Sequence, residues 1–368
     1  MVLFLVLIKV NNRKLENQFY SPQGGWLGLK NAAEQACRKG LHVNGAIFSR
    51  TQPLSVLLGY LRNTRAISRG LSVSGTEFYS IHLRRNRPDP KVIMPKAVLW
   101  EDSSQPIVYL ISCQERPIFD KISYTIHRYL LPYLCRVFLR TNEIRRGLNE
   151  LRDAHPKASL RVREYTSRSL IDDPKSVKRV RTDREWTDED CEAVFQKLGE
   201  EKQWLSSLRL EIRGEQTSSG RIWRNATFSC ESGFGYFFET VVSTVRHAVV
   251  KSGTFFEQRD RLTSPTHTSR PLRIVYSEDV FSDKRQNYRL IETLNRLKDS
   301  ALSVYHPNPY FHASLVDYAD GSSYELWVTS PSAILVVPKS KATTDSIERV
   351  CDYICDKFQE GDVEELPS

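Results

Sequence analysis

Two histidines and three acids lie close together in the run His306-Pro-Asn-Pro-Tyr-Phe-His312-Ala-Ser-Leu-Val-Asp317-Tyr-Ala-Asp320-Gly-Ser-Ser-Tyr-Glu325. Two imidazoles with a carboxylate form the donor set of a metal-dependent hydrolase. A histidine beside a carboxylate can also pass a proton. Both chemistries require the groups to converge, so the backbone that carries them decides between a site and a structural segment.

Asp320-Gly321 favours a two-residue turn, and β-branched and aromatic residues flank it, so the spacing predicts a hairpin over 311–329. That turn sets Asp317 opposite Tyr324, Val316 opposite Glu325 and His312 opposite Thr329. Phe311, Ala313, Leu315, Leu326 and Val328 then form a core face, with Asp317 and Tyr324 at its turn end. His312, Ser314, Val316, Glu325 and Trp327 face the other way. In this register Glu325 lies roughly 13 Å from His312, beyond proton-relay distance. The rigid Pro307-Asn308-Pro309 link can bring His306 toward His312, but Asp317 points to the opposite face and leaves a metal without its third ligand. The segment therefore reads as a stiff connector with half-buried histidines, and the hydrolase reading stays as an alternative.

Charge supplies the stronger functional signal. The 368-residue chain has a formal net charge of +9, and basic residues are dense between Pro156 and Arg184. Arg161, Arg163, Arg168, Lys175, Lys178, Arg179, Arg181 and Arg184 are the candidate nucleic-acid-binding residues, with Tyr165 and Lys157 among them. Such groups neutralise backbone phosphates and gain affinity from counterion release, and an interleaved aromatic can stack on a base. Glu164, Asp172, Asp173 and Asp183 offer local partners that would make the same segment plain solvated surface. Arg136, Arg140, Arg145, Arg146 and Arg152 extend the basic stretch. Arg62, Arg65, Arg69, Arg84, Arg85 and Arg87 form a second one.

The elements that would position these groups are legible from periodicity. The first third alternates strand-like and helix-like runs: a strand over 1–10, a helix from Trp26 to Lys39 stopped by Gly40, a strand from His42 to Ser49 and a short helix opened by Pro53. Further strands are expected near 71–83, 91–100 and 106–113, then helix from Phe119 to about Arg152 with a break near Pro132. This alternation predicts a mixed sheet with packed helices. Later come a helix capped at Thr187, an alternating strand from Trp204 to Arg213, a strand near 221–230 and a helix from about 236 to 262. Strand 271–277, helix 284–299, strand 301–306, the hairpin, strand 333–338 and helix 342–359 complete the pattern.

The expected fold class is α+β, with a mixed α/β N-terminal half and a largely antiparallel C-terminal half. Expected divisions are a domain over 1–155, a basic linker or exposed excursion over 156–186, a second domain over 187–360 and a frayed acidic tail over 361–368.

The apolar opening Met1–Ile8 is far shorter than a membrane span and lacks a basic flank, which favours a buried strand in a cytoplasmic protein with no membrane partner. Seven scattered cysteines agree with a reducing compartment. Cys351 and Cys355 fall on one buried helical stripe with Ile347, Val350, Ile354 and Phe358.

Gly70-Leu-Ser-Val-Ser-Gly75-Thr76 lacks the lysine of a phosphate loop, and Gly233-Phe-Gly235 lacks a third glycine. Glu211-Ile-Arg213 is the nearest approach to a nuclease Glu-x-Lys triplet, but arginine keeps its proton. Neither a serine-hydrolase elbow nor a His-Glu-x-x-His pair occurs. The sequence thus implies no cofactor, assigns no metal ligand and favours a non-catalytic role. The leading reading is a nucleic-acid-associated subunit or sensor of a larger assembly, binding DNA or RNA in a setting such as defence or genome maintenance. The alternatives are a scaffold docking an acidic protein and a hydrolase using His306 and His312.

Overall fold

Alternating apolar and polar residues dominate this chain, and they fold as two antiparallel sheets. The computed structural model describes residues 19–20, 25–63, 71–74, 78–83, 96–102, 104–130, 133–169, 177–257, 271–308, 310–339 and 341–366. The expected strand over 1–10, the Asp172-Asp173-Pro174 segment, Lys175 and the arginines at 65, 69, 84, 85 and 87 lie outside the described residues, as do Gly70, Gly75 and Thr76.

The first sheet holds β1 (Val43–Arg50), β2 (Leu71–Ser74), β3 (Phe78–Leu83), β4 (Lys96–Asp102), β5 (Ile107–Ser112), β6 (Leu134–Arg136), β7 (Ser159–Ser169), β8 (Val177–Glu185), β9 (Gln203–Arg213), β10 (Thr217–Trp223) and β11 (Thr227–Ser232). Its order is β2-β3-β4-β5-β1-β11-β10-β9-β7-β8, with β6 also pairing β1. One face carries Val43, Ile47, Leu160, Val162, Leu208, Leu210, Ile222 and Phe228. It is covered by α1 (Gly25–Arg38), α4 (Thr141–Ala154), α5 (Asp188–Glu200), the short α6 (Phe234–Phe237), a π-helical turn at Phe238–Val242 and α7 (Ser243–Glu257). Over the N-terminal strands the opposite face is covered by α2 (Leu54–Asn63) and α3 (Arg116–Leu130), whose Leu54, Leu57, Phe119 and Ile122 meet Phe48, Leu99 and Leu110.

Local signals explain these elements. In α1, Leu29, Ala32, Ala33 and Ala36 form the buried stripe. Gly40, at φ +75°, then closes the helix, its amide donating to the Cys37 carbonyl at 2.9 Å and that of Leu41 to Ala36 at 3.0 Å. A Cβ at Gly45 would strike the Phe228 ring, so glycine is what lets β1 and β11 lie under that side chain. The Thr187 hydroxyl accepts from the Asp190 amide and starts α5.

The second sheet, ordered β13-β14-β15-β16-β12-β17, comprises β12 (Leu272–Val275), β13 (Ser300–His306), β14 (His312–Asp317), β15 (Ser322–Ser330), β16 (Ala333–Pro338) and β17 (Asp362–Glu365). One face packs on α8 (Arg285–Leu294) and α9 (Thr344–Lys357). Helix α9 lies between the two sheets. Ile347, Val350, Cys351 and Ile354 enter the second core, while the helix also contacts β6 and α7. Its other stripe, Asp345, Glu348 and Asp352, is buried too.

The α+β class is what the chain adopts, but three details differ from the sequence reading. Every described strand pairing is antiparallel, including those of the N-terminal half, where a mixed sheet was expected. The segment expected as linker or excursion is instead the β7–β8 pair, with β7 fully integrated between β8 and β9, so one sheet spans residues on both sides of 156–186. The abundant arginines there hid an alternation whose inward members include Leu160, Val162 and Tyr165. Finally, the acidic tail is not frayed over 362–365. It forms β17 against β12, with Val363 opposite Ile274 and Arg273 donating to Glu364 at 2.6 Å.

Candidate nucleic-acid interface

Strand register turns the polar residues of β7 to β11 into rows on one face, because directly opposed residues of an antiparallel pair share a side. One row runs Arg181, Glu164, Arg209, Arg221, Ser229. The next runs Arg179, Thr166, Ser207, Trp223, Thr227, and a third includes Arg161, Glu211 and Ser219. This face is the continuation of the one that α2 and α3 cover elsewhere, and no described helix packs on it. Helix α3 stops at its border: Arg116 donates to Thr227 at 2.7 Å, and its guanidinium lies 3.8 Å from the Trp223 ring centroid.

Electrostatics at the centre is set by three guanidiniums on one carboxylate. Glu164, 2% exposed, is bonded by Arg221, lies 2.6 Å from Arg179 and has Arg181 at 4.0 Å. Burial alone would oppose its ionisation, but hydrogen bonds from Arg179 and Arg221 offset that and hold the carboxyl below its usual range. Glu211 is likewise lowered against the pull of burial, by Arg213 and Arg163. Arg209 donates to Glu231 at 2.5 Å. Because three arginines share Glu164, the cluster stays positive, and its outer members are well solvated: the Arg179 and Arg181 side chains are 58% and 84% exposed. Arg161 adds a buried Nε with no hydrogen-bond partner.

Of the residues singled out from sequence, Arg161, Arg163, Arg179 and Arg181 meet on or beside this face. Arg163 sits at a bulge and donates to Glu211 at 2.6 Å. Three others do not join them. Arg168 is engaged inside the molecule, donating to the Asp356 carbonyl at 2.8 Å and to its carboxylate. Lys178 and Arg184 stand opposite Ser167 and Val162, on the side facing α5, where they approach Glu201 at 2.6 Å and Asp190 at 3.7 Å. Lys175 lies outside the described residues. Sequence reasoning missed Arg209, Arg221 and Trp223. The strict alternation of Arg209 and Glu211 with Leu208, Leu210 and Ile212 was the signal that could have found the first of them.

The histidine segment forms a different arrangement from the one expected. Its two faces are as predicted: Ala313, Leu315, Asp317, Tyr324 and Leu326 are buried. The register is displaced by two residues, with His312 opposite Trp327 and Ser314 opposite Glu325. The loop explains this. Asp317 accepts from the amide of Ala319 through its side chain at 2.9 Å and from Gly321 through its carbonyl at 2.8 Å, closing a four-residue connection in which only Gly321 takes positive φ. The displacement makes His312 and Glu325 diagonal neighbours, Nε2 to Oε2 2.5 Å, where the sequence register had separated them by roughly 13 Å. His312 also stacks on Trp327 at 3.5 Å and lies 6.5 Å from His306, ring to ring. Asp317 faces the core and binds Arg349 and Ser346, the latter at 2.8 Å. Among the described residues no group of three His, Cys, Asp or Glu side chains is placed to hold a metal ion.

A cavity of about 300 Å³ opens between α4, α5 and the end of β12. Of its four acids, Glu192, Glu278 and Glu360 are already paired with Arg145, Lys202 and Arg224, and Asp362 is the fourth. The cysteines, all buried, offer no nucleophile to it. No described helix is long and apolar enough to cross a membrane. Fold and face together define an antiparallel α+β protein presenting a charged, open sheet surface. No protein-family model matches the chain, and none of the curated proteins matches it.

Proposed function

We propose that this protein binds the sugar–phosphate backbone of nucleic acid with the open face of β7 to β11, as a non-catalytic part of a larger assembly. The observation that carries the reading is the convergence of Arg179, Arg181 and Arg221 on the single carboxylate of Glu164, beside Arg161 and Arg209. Guanidiniums held by sheet register are preorganised for phosphate oxygens, and serine and threonine hydroxyls between them add neutral donors. Trp223 is engaged by Arg116 at 3.8 Å and Arg221 at 5.8 Å, so its ring is not free as a base-stacking platform. Binding is accordingly expected to be indifferent to sequence and strongly dependent on salt.

Retention of labelled 25-base DNA and RNA, single- and double-stranded, tests this at low salt. The combined Arg181→Glu and Arg209→Glu variant should weaken binding at least tenfold, whereas Lys178→Glu with Arg184→Glu, on the other side of the sheet, should change it less than threefold. Equal losses in both variants, or no retention of any nucleic acid by the unaltered protein, would refute the reading. An acidic protein captured in a nuclease-resistant manner by a chain that retains no nucleic acid would establish the scaffold alternative.

A further inference from the structure

Edge strands expose unpaired backbone groups, and proteins usually protect them with charge. Two edges here follow that rule: β8 carries Lys178, Arg179, Arg181 and Arg184, and β17 carries Asp362, Glu364 and Glu365. The other edge of the second sheet does not. Strand β13, Ser-Ala-Leu-Ser-Val-Tyr-His over 300–306, contains no acid, lysine, arginine or proline, and among the described residues its only strand partner is β14.

We infer that β13 is a self-association edge, pairing antiparallel with β13 of a second copy about a two-fold axis through Ser303. The pleat selects that centre. Opposed residues of an antiparallel pair share a face, so the axis must pass through a residue for the two sheets to continue into one another. With Ser303 on the axis, Leu302 faces Val304 of the second copy and Ala301 faces Tyr305. Leu302 and Val304 stand opposite Leu315 and Ala313 on the core face, yet both are only partly buried, and no described strand pairs with β13 on its outer side. The pairing would complete that apolar layer across the junction. On the outer face it would set the 52%-exposed Tyr305 over the small Ala301. An axis on Leu302 would instead oppose Ser300 to Val304, and an axis on Val304 would move the irregularity near Tyr305 from the end of the pairing to beside its centre. No charge opposes its own copy in the Ser303 register, the condition that β8 and β17 would violate.

Sedimentation equilibrium of the full chain between 1 and 50 μM should show a dimer, and Ser303→Asp, which opposes two carboxylates at the axis on an exposed position, should give monomer with unchanged circular dichroism. Mild oxidation of Ser303→Cys should cross-link two chains, since opposed strand positions lie within disulfide reach. Ser314→Cys, one strand further in and about 14 Å from its copy, should not. All seven native thiols are buried, so cross-linking reports the introduced one. A monomer at every concentration, or a dimer that survives Ser303→Asp and leaves Ser303→Cys uncross-linked, would overturn the inference. So would a different polypeptide occupying this edge of a monomer.

Discussion

Carboxylates meet two opposite fates in this chain. On the open sheet face Glu164 is nearly as inaccessible as any core residue, yet flanking arginines hold it ionised. On α9 the buried carboxyls of Asp345, Glu348 and Asp352 are all pushed upward, in each case mainly by burial, Asp345 to about 7. Asp352 accepts from the Phe138 amide at 2.9 Å and Glu348 from Ser252 at 2.8 Å, while Glu348 Oε2 and Asp352 Oδ1 have no hydrogen-bond partner. Desolvation acts in both places. What differs is the supply of guanidiniums: several around one acid on the sheet, few around several acids on the helix. The first arrangement favours the charged carboxylate, and the second, packed between the two sheets, favours the protonated acids.

The contrast can be broken most forcefully where the interior does contain a paired charge. Arg224, 6% exposed, donates to the largely buried Glu360 at 2.5 Å and stacks 3.9 Å from the Phe138 ring centroid. Arg224→Ala strands Glu360 in the interior and should cost about 3–5 kcal/mol in denaturant unfolding. A loss below about 1 kcal/mol would show that this junction is wetter or looser than described.

Titration sharpens the comparison next. Asp345 ionises near 3.8 when unfolded and near 7 when folded, beside Cys135, Arg349, Asp317 and Asp320. The folded state therefore holds a proton that the unfolded state has released, and the associated stability is full below about pH 4 and declines as pH rises toward 7. Each such group contributes a slope of about 1.4 kcal/mol per pH unit inside its window. Asp345→Asn should flatten the stability profile between pH 4 and 7, as measured by urea unfolding. Glu164, lowered instead of raised, contributes with the opposite sign: its share is present above the usual glutamate range and is lost as pH falls below it.

His312→Ala removes the 3.5 Å stack on Trp327 and the bond to Glu325, and should cost about 1–2 kcal/mol of thermal stability without altering nucleic-acid retention. The smallest expected change is the most informative about the open face. Glu164→Gln frees the surrounding arginines of their shared counter-charge, so affinity for nucleic acid at low salt should rise two- to fivefold while unfolding changes by about 1 kcal/mol. A drop in affinity would mean that Glu164 positions the arginines more than it neutralises them.

Much of this architecture was legible in the sequence. Gly40 ended α1, Pro53 preceded α2, Thr187 capped α5, and the hairpin faces sorted correctly because two-residue periodicity survives any even shift in register. The same fact explains the error at His312. Asp320-Gly321 is a legitimate turn dipeptide, but the Asx hydrogen bonds of Asp317 and Asp320 stabilise a longer loop that local propensity does not rank above the short one. The candidate interface was half visible. Charge density found Arg179 and Arg181 but could not separate them from Lys178 and Arg184, since face assignment in β8 depends on a bulge between Val162 and Glu164 in its neighbour. Arg221 was invisible for a related reason: it reaches Glu164 only because β9, its hairpin partner, pairs with β7 far back in the chain.

The central claim is that phosphates, and not bases or a protein partner, are what the Glu164 cluster accepts. The dissociation constant for a generic 25-base-pair duplex, followed from 25 to 200 mM salt, addresses it directly. The arrangement of Arg161, Arg179, Arg181, Arg209 and Arg221 predicts a slope of log affinity against log salt of about −3 or steeper, reduced by roughly one for each arginine removed. A slope near zero, or one unchanged by Arg179→Ala and Arg181→Ala together, would contradict it.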